Sequence, residues 1–177
     1  EYQMDSSGKK LKCKNCGKEW EMTELGELRA LTGKTEFSHI PDWYEWERSN
    51  VREEVLNGSY HFSSEVRVCS LPNSKGYIKL GKGRLTHDKN GFVLEGKYGS
   101  KSYREEKTVP SLYSCHIEYN YLNKHGDCVD LNTLTDTYYI YPFGCDFSVT
   151  KIALATEELF FADRREKEAV KTAKVSG

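Results

Sequence analysis

The clearest hydrophobic pattern in the chain is a 3.6-residue period from Asp146 to Ala162, which predicts an amphipathic helix. Lys151, Thr156 and the pair Glu157–Glu158 mostly lie off its apolar stripe. Because this helix follows a long run of strand-like segments, we expect it to cover the open face or end of a sheet. The apolar stripe consists of Val149, Ile152, Ala153, Leu159 and Phe160.

Residues 59–145 show a different periodicity, in which apolar and polar side chains alternate over short segments separated by turn residues. We predict about seven strands here, with a hairpin turn at Asp88–Gly91. Strands in this number followed by one helix resemble pleckstrin-homology-like (PH-like) folds, in which a bent sheet or barrel is closed by a C-terminal helix. The predicted fold class is therefore α+β, mainly β.

A second helix is predicted between residues 38 and 58, because Pro41 suits a first helical turn and Asn57-Gly58 supplies a stop signal. Its tryptophans, Trp43 and Trp46, have two interpretations. They form either a platform on which a ligand or base stacks, or an aromatic seam that packs this helix against its neighbours. The seam is the simpler interpretation of aromatic residues at helical spacing.

These patterns divide the chain into four parts. Residues 1–37 form a zinc-ribbon-like knuckle, 38–58 a linking helix, 59–162 the PH-like domain and 163–177 a charged tail. The tail has few large apolar side chains, so it is predicted to be either a helix extension or a disordered segment.

The knuckle is centred on Cys13 and Cys16, which are followed by Gly17 in the segment LKCKNCGKEWEM. Two cysteines at this spacing in a tight turn between strands suit a tetrahedral zinc ion and resemble the first half of a zinc ribbon. A thioredoxin-type redox pair is disfavoured, because no βαβ pattern surrounds the cysteines. The sequence thus predicts structural zinc as the cofactor.

The second C-x-x-C pair of a zinc ribbon is missing from the sequence, so other ligands are needed. His39 is the nearest candidate for the third ligand, and Asp42 or the distant Cys69 for the fourth. The alternative for His39 is a turn residue that caps the following helix.

Composition limits the function classes. Hydrophobic residues make up 37% of the 177 residues and charged residues 30%, with a net charge of −1, which is typical of a globular domain. A balanced charge argues against a dedicated nucleic-acid partner, although five lysines surround the knuckle. Six cysteines in a chain of this size are expected to be reduced, in a cytoplasmic setting. The first residues, Glu1-Tyr2-Gln3, lead us to expect a fragment of a longer protein.

A basic pattern in the predicted sheet is the candidate lipid-headgroup site. Lys79, Lys82 and Arg84 have the spacing that cradles phosphates on the first hairpin of lipid-binding PH domains, with Lys75 nearby. The alternative, which we favour, is a solvated strand edge whose lysines prevent edge-to-edge pairing.

No arrangement in the sequence predicts a catalytic site. His125 and Asp130 have the H-x4-D spacing of glycerolipid acyltransferases, but the pair straddles a hairpin turn and lacks a following phosphate-binding motif. A nucleophile elbow, a Walker loop and an H-E-x-x-H pair are absent from the sequence. We therefore predict no catalytic residues in this chain.

Four long segments resemble the C-terminal extension of some Gram-positive bacterial 1-acyl-sn-glycerol-3-phosphate acyltransferases. They are LKCKNCGKEWEM, FSHIPDWYEWER, KGYIKLGKGRLTHDKNGFVLEG and DTYYIYPFGCDFSVTKIALATEELF. The resemblance covers nearly all of the chain but includes none of that family's catalytic positions.

The resemblance implies a non-catalytic accessory or regulatory region of an enzyme of phospholipid biosynthesis. Acyl transfer would belong to an upstream domain, the partner in cis, at the cytoplasmic face of the membrane, and an anionic membrane surface would be a further partner. The alternative is a free-standing zinc-ribbon module that binds protein or nucleic acid. An acyltransferase domain encoded upstream would favour the first interpretation.

Overall fold

A computed structural model of the chain describes residues 3–72, 76–121, 126–143 and 149–175. Within these ranges the protein is mixed α+β and mainly β, with eleven strands in two antiparallel sheets and two α-helices. The chain forms two compact units, Glu1–Asn50 and Val51–Gly177. The predicted class is confirmed at this level.

The first unit contains a four-stranded meander in the order β1-β2-β3-β4. Trp20 and Leu28 are buried, and the Trp20 ring packs edge-on against Trp43 at 5.2 Å between ring centroids. Phe37 lies against both Trp43 and Trp46. These contacts are those of an aromatic seam. The strands are β1 (Met4–Ser7), β2 (Lys10–Cys13), β3 (Glu19–Met22) and β4 (Leu28–Ala30).

Helix α1 spans Ile40–Leu56, within the predicted range of 38–58. Its first turn contains Pro41 and Asp42, both suited to the positive end of a helix. It ends before Asn57 and Gly58, where Gly58 adopts a φ of +76° that favours glycine. The boundary between the two units falls inside this helix, between Asn50 and Val51.

The second unit is built on a seven-stranded antiparallel sheet, in the number of strands predicted. The strand order is β8-β7-β6-β5-β11-β10-β9, so the first strand of the unit pairs with both the second and the last. Within the described residues the two edge strands are not paired with each other, so this is an open sheet rather than a closed barrel. The strands are β5 (Phe62–Ser70), β6 (Ile78–Asp88), β7 (Gly91–Tyr98), β8 (Lys101–Thr108), β9 (His116–Glu118), β10 (Cys128–Asn132) and β11 (Thr137–Pro142).

The predicted hairpin turn joins β6 to β7. Asn90 donates its backbone N–H to the Asp88 carboxylate at 2.8 Å. Gly91 has a φ of +103°, and a Cβ there would lie 2.0 Å from the Lys107 carbonyl oxygen. Only glycine fits this position, which explains the strength of the turn signal.

Helix α2 (Val149–Val175) lies over β9, β10 and a 3-10 turn at Val109–Ser111. Val149 and Ile152 join the buried core formed by the strands. We call the sheet face toward α2 the inner face and the opposite one the outer face. The core side chains of the strands are Phe62, Val66, Val68, Leu85, Phe92, Leu94, Val129, Leu131, Tyr138 and Ile140.

Two positions that the helical pattern placed off the apolar stripe are buried. Thr156 donates to the Ile152 carbonyl oxygen at 2.8 Å, which satisfies its hydroxyl inside the helix. Glu158 is 2% exposed and accepts two hydrogen bonds from the Arg52 guanidinium, at 2.8 and 3.0 Å. Both polar side chains can be buried because each has a hydrogen-bond partner, the helix's own backbone for Thr156 and the Arg52 guanidinium for Glu158.

Helix α2 continues through most of the segment predicted as a charged tail, as far as Val175. Its side chains from Arg164 to Ala173 are exposed, and Lys167 pairs with Asp163 at 2.6 Å.

Neither helix, in the described part of the chain, combines the length and apolarity needed to cross a membrane. The predicted helix start at Asp146, and also Lys75 and His125, lie outside the described residues.

Candidate metal and anion sites

The cysteine knuckle forms the tight turn between β2 and β3. The backbone N–H of Cys13 donates to the Lys18 carbonyl oxygen, and that of Gly17 donates to the Cys13 carbonyl oxygen, both at 2.8 Å. Hydrogen bonds from the backbone and side chain of Cys16, and from the backbone of Asn15, lower the pKa of the Cys13 thiol. The turn therefore favours a thiolate at Cys13, the form that binds a metal.

The structure places His39 just before helix α1. Its Nδ1 lies 3.0 Å from the Ser38 hydroxyl and 3.8 Å from the Asp42 carboxylate, and its carbonyl oxygen accepts the N–H of Trp43. Across the described ranges, the one group of three side chains with metal-ligating atoms close together does not include Cys13, Cys16 or His39. Cys69 lies in the second unit, in a buried cluster with Cys128 and Tyr141.

The predicted basic residues are all on β6 and exposed. Lys82 and Arg84 line an open groove of about 700 Å³ on the sheet, together with Lys97 and Arg104. Lys79 sits beside a bulge, opposite Cys69. We call Lys82, Arg84, Lys97 and Arg104 the basic groove.

Acidic and hydroxyl partners compensate much of the charge in the basic groove. Lys82 Nζ lies 3.9 Å from the Glu65 carboxylate, and Arg84 donates to the Ser63 hydroxyl at 3.2 Å. Arg104 pairs with Glu95 and Glu106. Cross-strand pairing of this kind is typical of a solvated sheet surface.

A second cluster, which the sequence did not reveal as a unit, lies where β9 and β10 pair. His116 stands opposite Asp130, and Glu118 stands opposite Cys128, so all four side chains share the outer face. Ligand atoms of His116, Glu118 and Asp130 all lie within 4.8 Å of one another. We call these four residues the β9–β10 cluster.

Burial differs sharply within the β9–β10 cluster. Cys128 is fully buried and Asp130 is 7% exposed, whereas the His116 side chain is 66% exposed. Burial raises the pKa of Asp130 to about 6, and burial together with the Asp130 charge raises the pKa of Cys128 to about 12. The hydrogen bond that Asp130 accepts from the Cys128 thiol, at 3.6 Å, comes from a weak donor.

The sequence contains a signal for this cluster that is recognisable only in retrospect. His116-x-Glu118 and Cys128-x-Asp130 each place two ligand-type side chains on the same face of a strand. The pairing register then brings the two pairs together. We considered Asp130 only together with His125, in an H-x4-D pair that we disfavoured, so the local combination was missed.

Another titratable group, His87, is buried in the core. Its Nδ1 lies 2.8 Å from the Tyr60 hydroxyl, and its ring stacks on Phe92 at 3.8 Å. Burial lowers the pKa of His87 to about 3, so the ring is neutral at physiological pH. The cavity beside it, lined also by Thr156 and Leu159 of α2, has a volume of about 10 Å³, room for about one water molecule.

Comparison of the chain with protein-family models, with curated proteins and with solved structures gives no match.

Proposed function

We propose that this chain is a non-catalytic accessory region of a 1-acyl-sn-glycerol-3-phosphate acyltransferase, with a zinc-ribbon-like first unit and a PH-like second unit. The acyltransferase assignment rests on the resemblance of the four sequence segments. In this proposal the region positions or regulates an upstream catalytic domain at the cytoplasmic face of the membrane.

The topology of the second unit supports the PH-like proposal. Seven antiparallel strands form one sheet in which β5 pairs with both β6 and β11, and the chain then enters α2. That helix buries Val149 and Ile152 against the inner face. A bent sheet covered by a C-terminal helix is what the PH-like resemblance requires.

The observation that carries the non-catalytic proposal is the filling of the inner face by α2. Val149 and Ile152 are buried in the core there, and the cavity beside His87, which Leu159 also lines, is no larger than about one water molecule. Binding sites for small substrates are clefts of several hundred cubic ångströms. A packed inner face favours a module that acts through its surface.

Two surface sites belong to the proposal. Cys13 and Cys16 would hold a structural zinc ion, with His39 as the proposed third ligand, and the hydrogen-bonded turn around Gly17 supports the role of the two cysteines. Lys82 and Arg84, with Lys79 nearby on β6, would contact an anionic lipid surface, which their exposure supports.

An acyl-transfer assay tests the proposal. The chain alone, incubated with lysophosphatidate and an acyl donor, should give no product above a protein-free blank. A longer protein that includes the domain encoded upstream should form phosphatidate. Turnover by the chain alone, or an upstream sequence without an acyltransferase domain, would contradict the proposal.

A further inference from the structure

We propose that His116, Glu118 and Asp130 bind one Zn²⁺ ion that ties the edge strand β9 to β10, with the fourth coordination position open to water. This site is separate from the cysteine knuckle and does not depend on the proposed accessory function. It rests on three side chains that the β9–β10 pairing places on one face, with their ligand atoms close together.

The distances fit tetrahedral coordination. A zinc ion with ligand bonds of about 2.0–2.3 Å holds its ligand atoms roughly 3.5 Å apart. Nε2 of His116 lies 3.1 Å from Oε1 of Glu118, and the ligand atoms of His116, Glu118 and Asp130 all lie within 4.8 Å of one another. The Cys128 thiol lies 3.6 Å from Oδ1 of Asp130 but is not part of this group.

The donor set selects the metal. One imidazole nitrogen and two carboxylate oxygens, with a fourth position for water, suit Zn²⁺, whereas Mg²⁺ and Ca²⁺ prefer oxygen ligands alone. An ion entering here would neutralise two carboxylates that lie side by side.

Burial provides a second observation, independent of the spacing. Asp130 is more than nine-tenths buried and Cys128 is fully buried, so this pair forms the floor of the site. His116 is largely exposed and Glu118 is partly exposed, so the rim is open to solvent. A buried carboxylate whose hydrogen-bond donor is a thiol is poorly compensated, and a cation would supply what it lacks.

A zinc ion at this position would have a structural effect. Strand β9 has only three residues and forms an edge of the sheet, with β10 as its partner. Short edge strands fray readily because few hydrogen bonds hold them. Two ligands from β9 and one from β10 would hold β9 in register.

The test uses the full chain carrying Cys13→Ser and Cys16→Ser, which removes the knuckle cysteines. Calorimetric titration with ZnCl₂ should show one ion bound per chain. His116→Ala and Glu118→Gln should each weaken binding by at least about tenfold, since loss of outer-shell partners alone costs 10–100-fold. Both residues are exposed or partly exposed, so the variants should fold, which circular dichroism would verify.

His61→Ala is the matched control, because His61 is also exposed and lies 3.6 Å from one carboxylate, that of Asp88. It should leave zinc affinity unchanged. Absence of saturable zinc binding, or equal affinities for His116→Ala and His61→Ala, would overturn the site.

Co²⁺ as a substitute ion tests the ligand set. The cobalt-loaded chain should show visible d–d absorption without a thiolate-to-metal charge-transfer band. Zinc should also slow hydrogen exchange of the β9 amides. A thiolate band in the cobalt complex would contradict the three-residue ligand set.

Discussion

Two regions of the same outer sheet face differ in how their charges are compensated. Across β6–β8, the exposed Arg104 pairs with Glu95 and Glu106, and Lys82 lies near Glu65. Across β9 and β10, Asp130 is buried beside Cys128. Exposed ion pairs cost little to form and contribute little to stability, so the ion pairs across β6–β8 do not by themselves identify a binding site. A carboxylate buried beside a weak donor is costly, and the second region is therefore the stronger candidate.

A third region, on helix α2, contains a buried charge that an opposite charge compensates. Glu158 on α2 is as buried as Asp130, but the guanidinium of Arg52 donates two hydrogen bonds to it. Nearby, Lys151 pairs with Glu54 at 2.8 Å. Both pairs connect α2 to the C-terminal half of α1 within the second unit. The comparison of these regions can be tested by replacing one residue of an interacting pair at a time.

The largest expected effect is the loss of the buried pair. Arg52→Ala removes the guanidinium that donates two hydrogen bonds to the buried Glu158 carboxylate. This should lower the free energy of unfolding by about 3 kcal/mol, the low end for a buried pair, because Arg52 is itself 45% exposed to water. Urea denaturation measures this change in the free energy of unfolding. Adding Glu158→Gln to Arg52→Ala should recover part of the loss, because the uncompensated charge is then gone. A loss of less than about 1 kcal/mol in Arg52→Ala would contradict the role of this pair.

A smaller effect is expected from His87 as a function of pH. The pKa of His87 is about 3 in the folded protein and near the ordinary histidine value of 6.5 in the unfolded chain, so the unfolded chain binds the proton more tightly. The stability that the neutral ring contributes is fully present above pH 6.5. It should be lost as the pH falls toward 3, at up to about 1.4 kcal/mol per pH unit.

Urea midpoints measured between pH 7 and pH 4 would check this expectation. Other acidic groups also titrate in this window, so the informative quantity is the difference between the wild-type chain and His87→Gln. The variant should have the shallower pH dependence. His61→Gln, at an exposed histidine, serves as the control and should retain the wild-type dependence. Parallel curves for wild type and His87→Gln would show that His87 is protonated in the folded state.

The smallest effect is expected at the basic groove. Lys82→Glu with Arg84→Glu should lower partition onto vesicles that contain anionic lipid by about fivefold, because Glu65 and Ser63 already hold part of the charge. Lys89→Glu with Lys171→Glu makes the same charge change at two other exposed positions. Equal partition of the two double variants would contradict lipid binding by Lys82 and Arg84. It would show that these residues belong to an ordinary solvated strand surface.

Local pattern was enough to predict most of the elements. Helix α1 follows from Pro41 and the Asn57-Gly58 stop, and the β6–β7 hairpin follows from Asp88–Gly91. The helical period predicted α2, although its charged second half left open whether the helix continued. Signals of this kind depend on residues that are neighbours in the chain, which is why the sequence reveals them.

What the sequence could not predict depends on contacts between distant residues. Glu158 is buried because Arg52, more than one hundred positions away, reaches it. The β9–β10 cluster forms because the register sets His116 opposite Asp130. A one-residue slip in that pairing would turn the side chains of one strand to the opposite face, so composition and spacing alone do not specify the cluster.

The most direct measurement is an anomalous difference map at the zinc absorption edge from crystals of the full chain grown with zinc. One peak is expected at Cys13 and Cys16, where it would also show whether His39 is a ligand. A second peak is expected among His116, Glu118 and Asp130. Density at the knuckle alone, with the Asp130 carboxylate bound only to protein groups, would contradict the claim that poorly compensated burial marks a metal site.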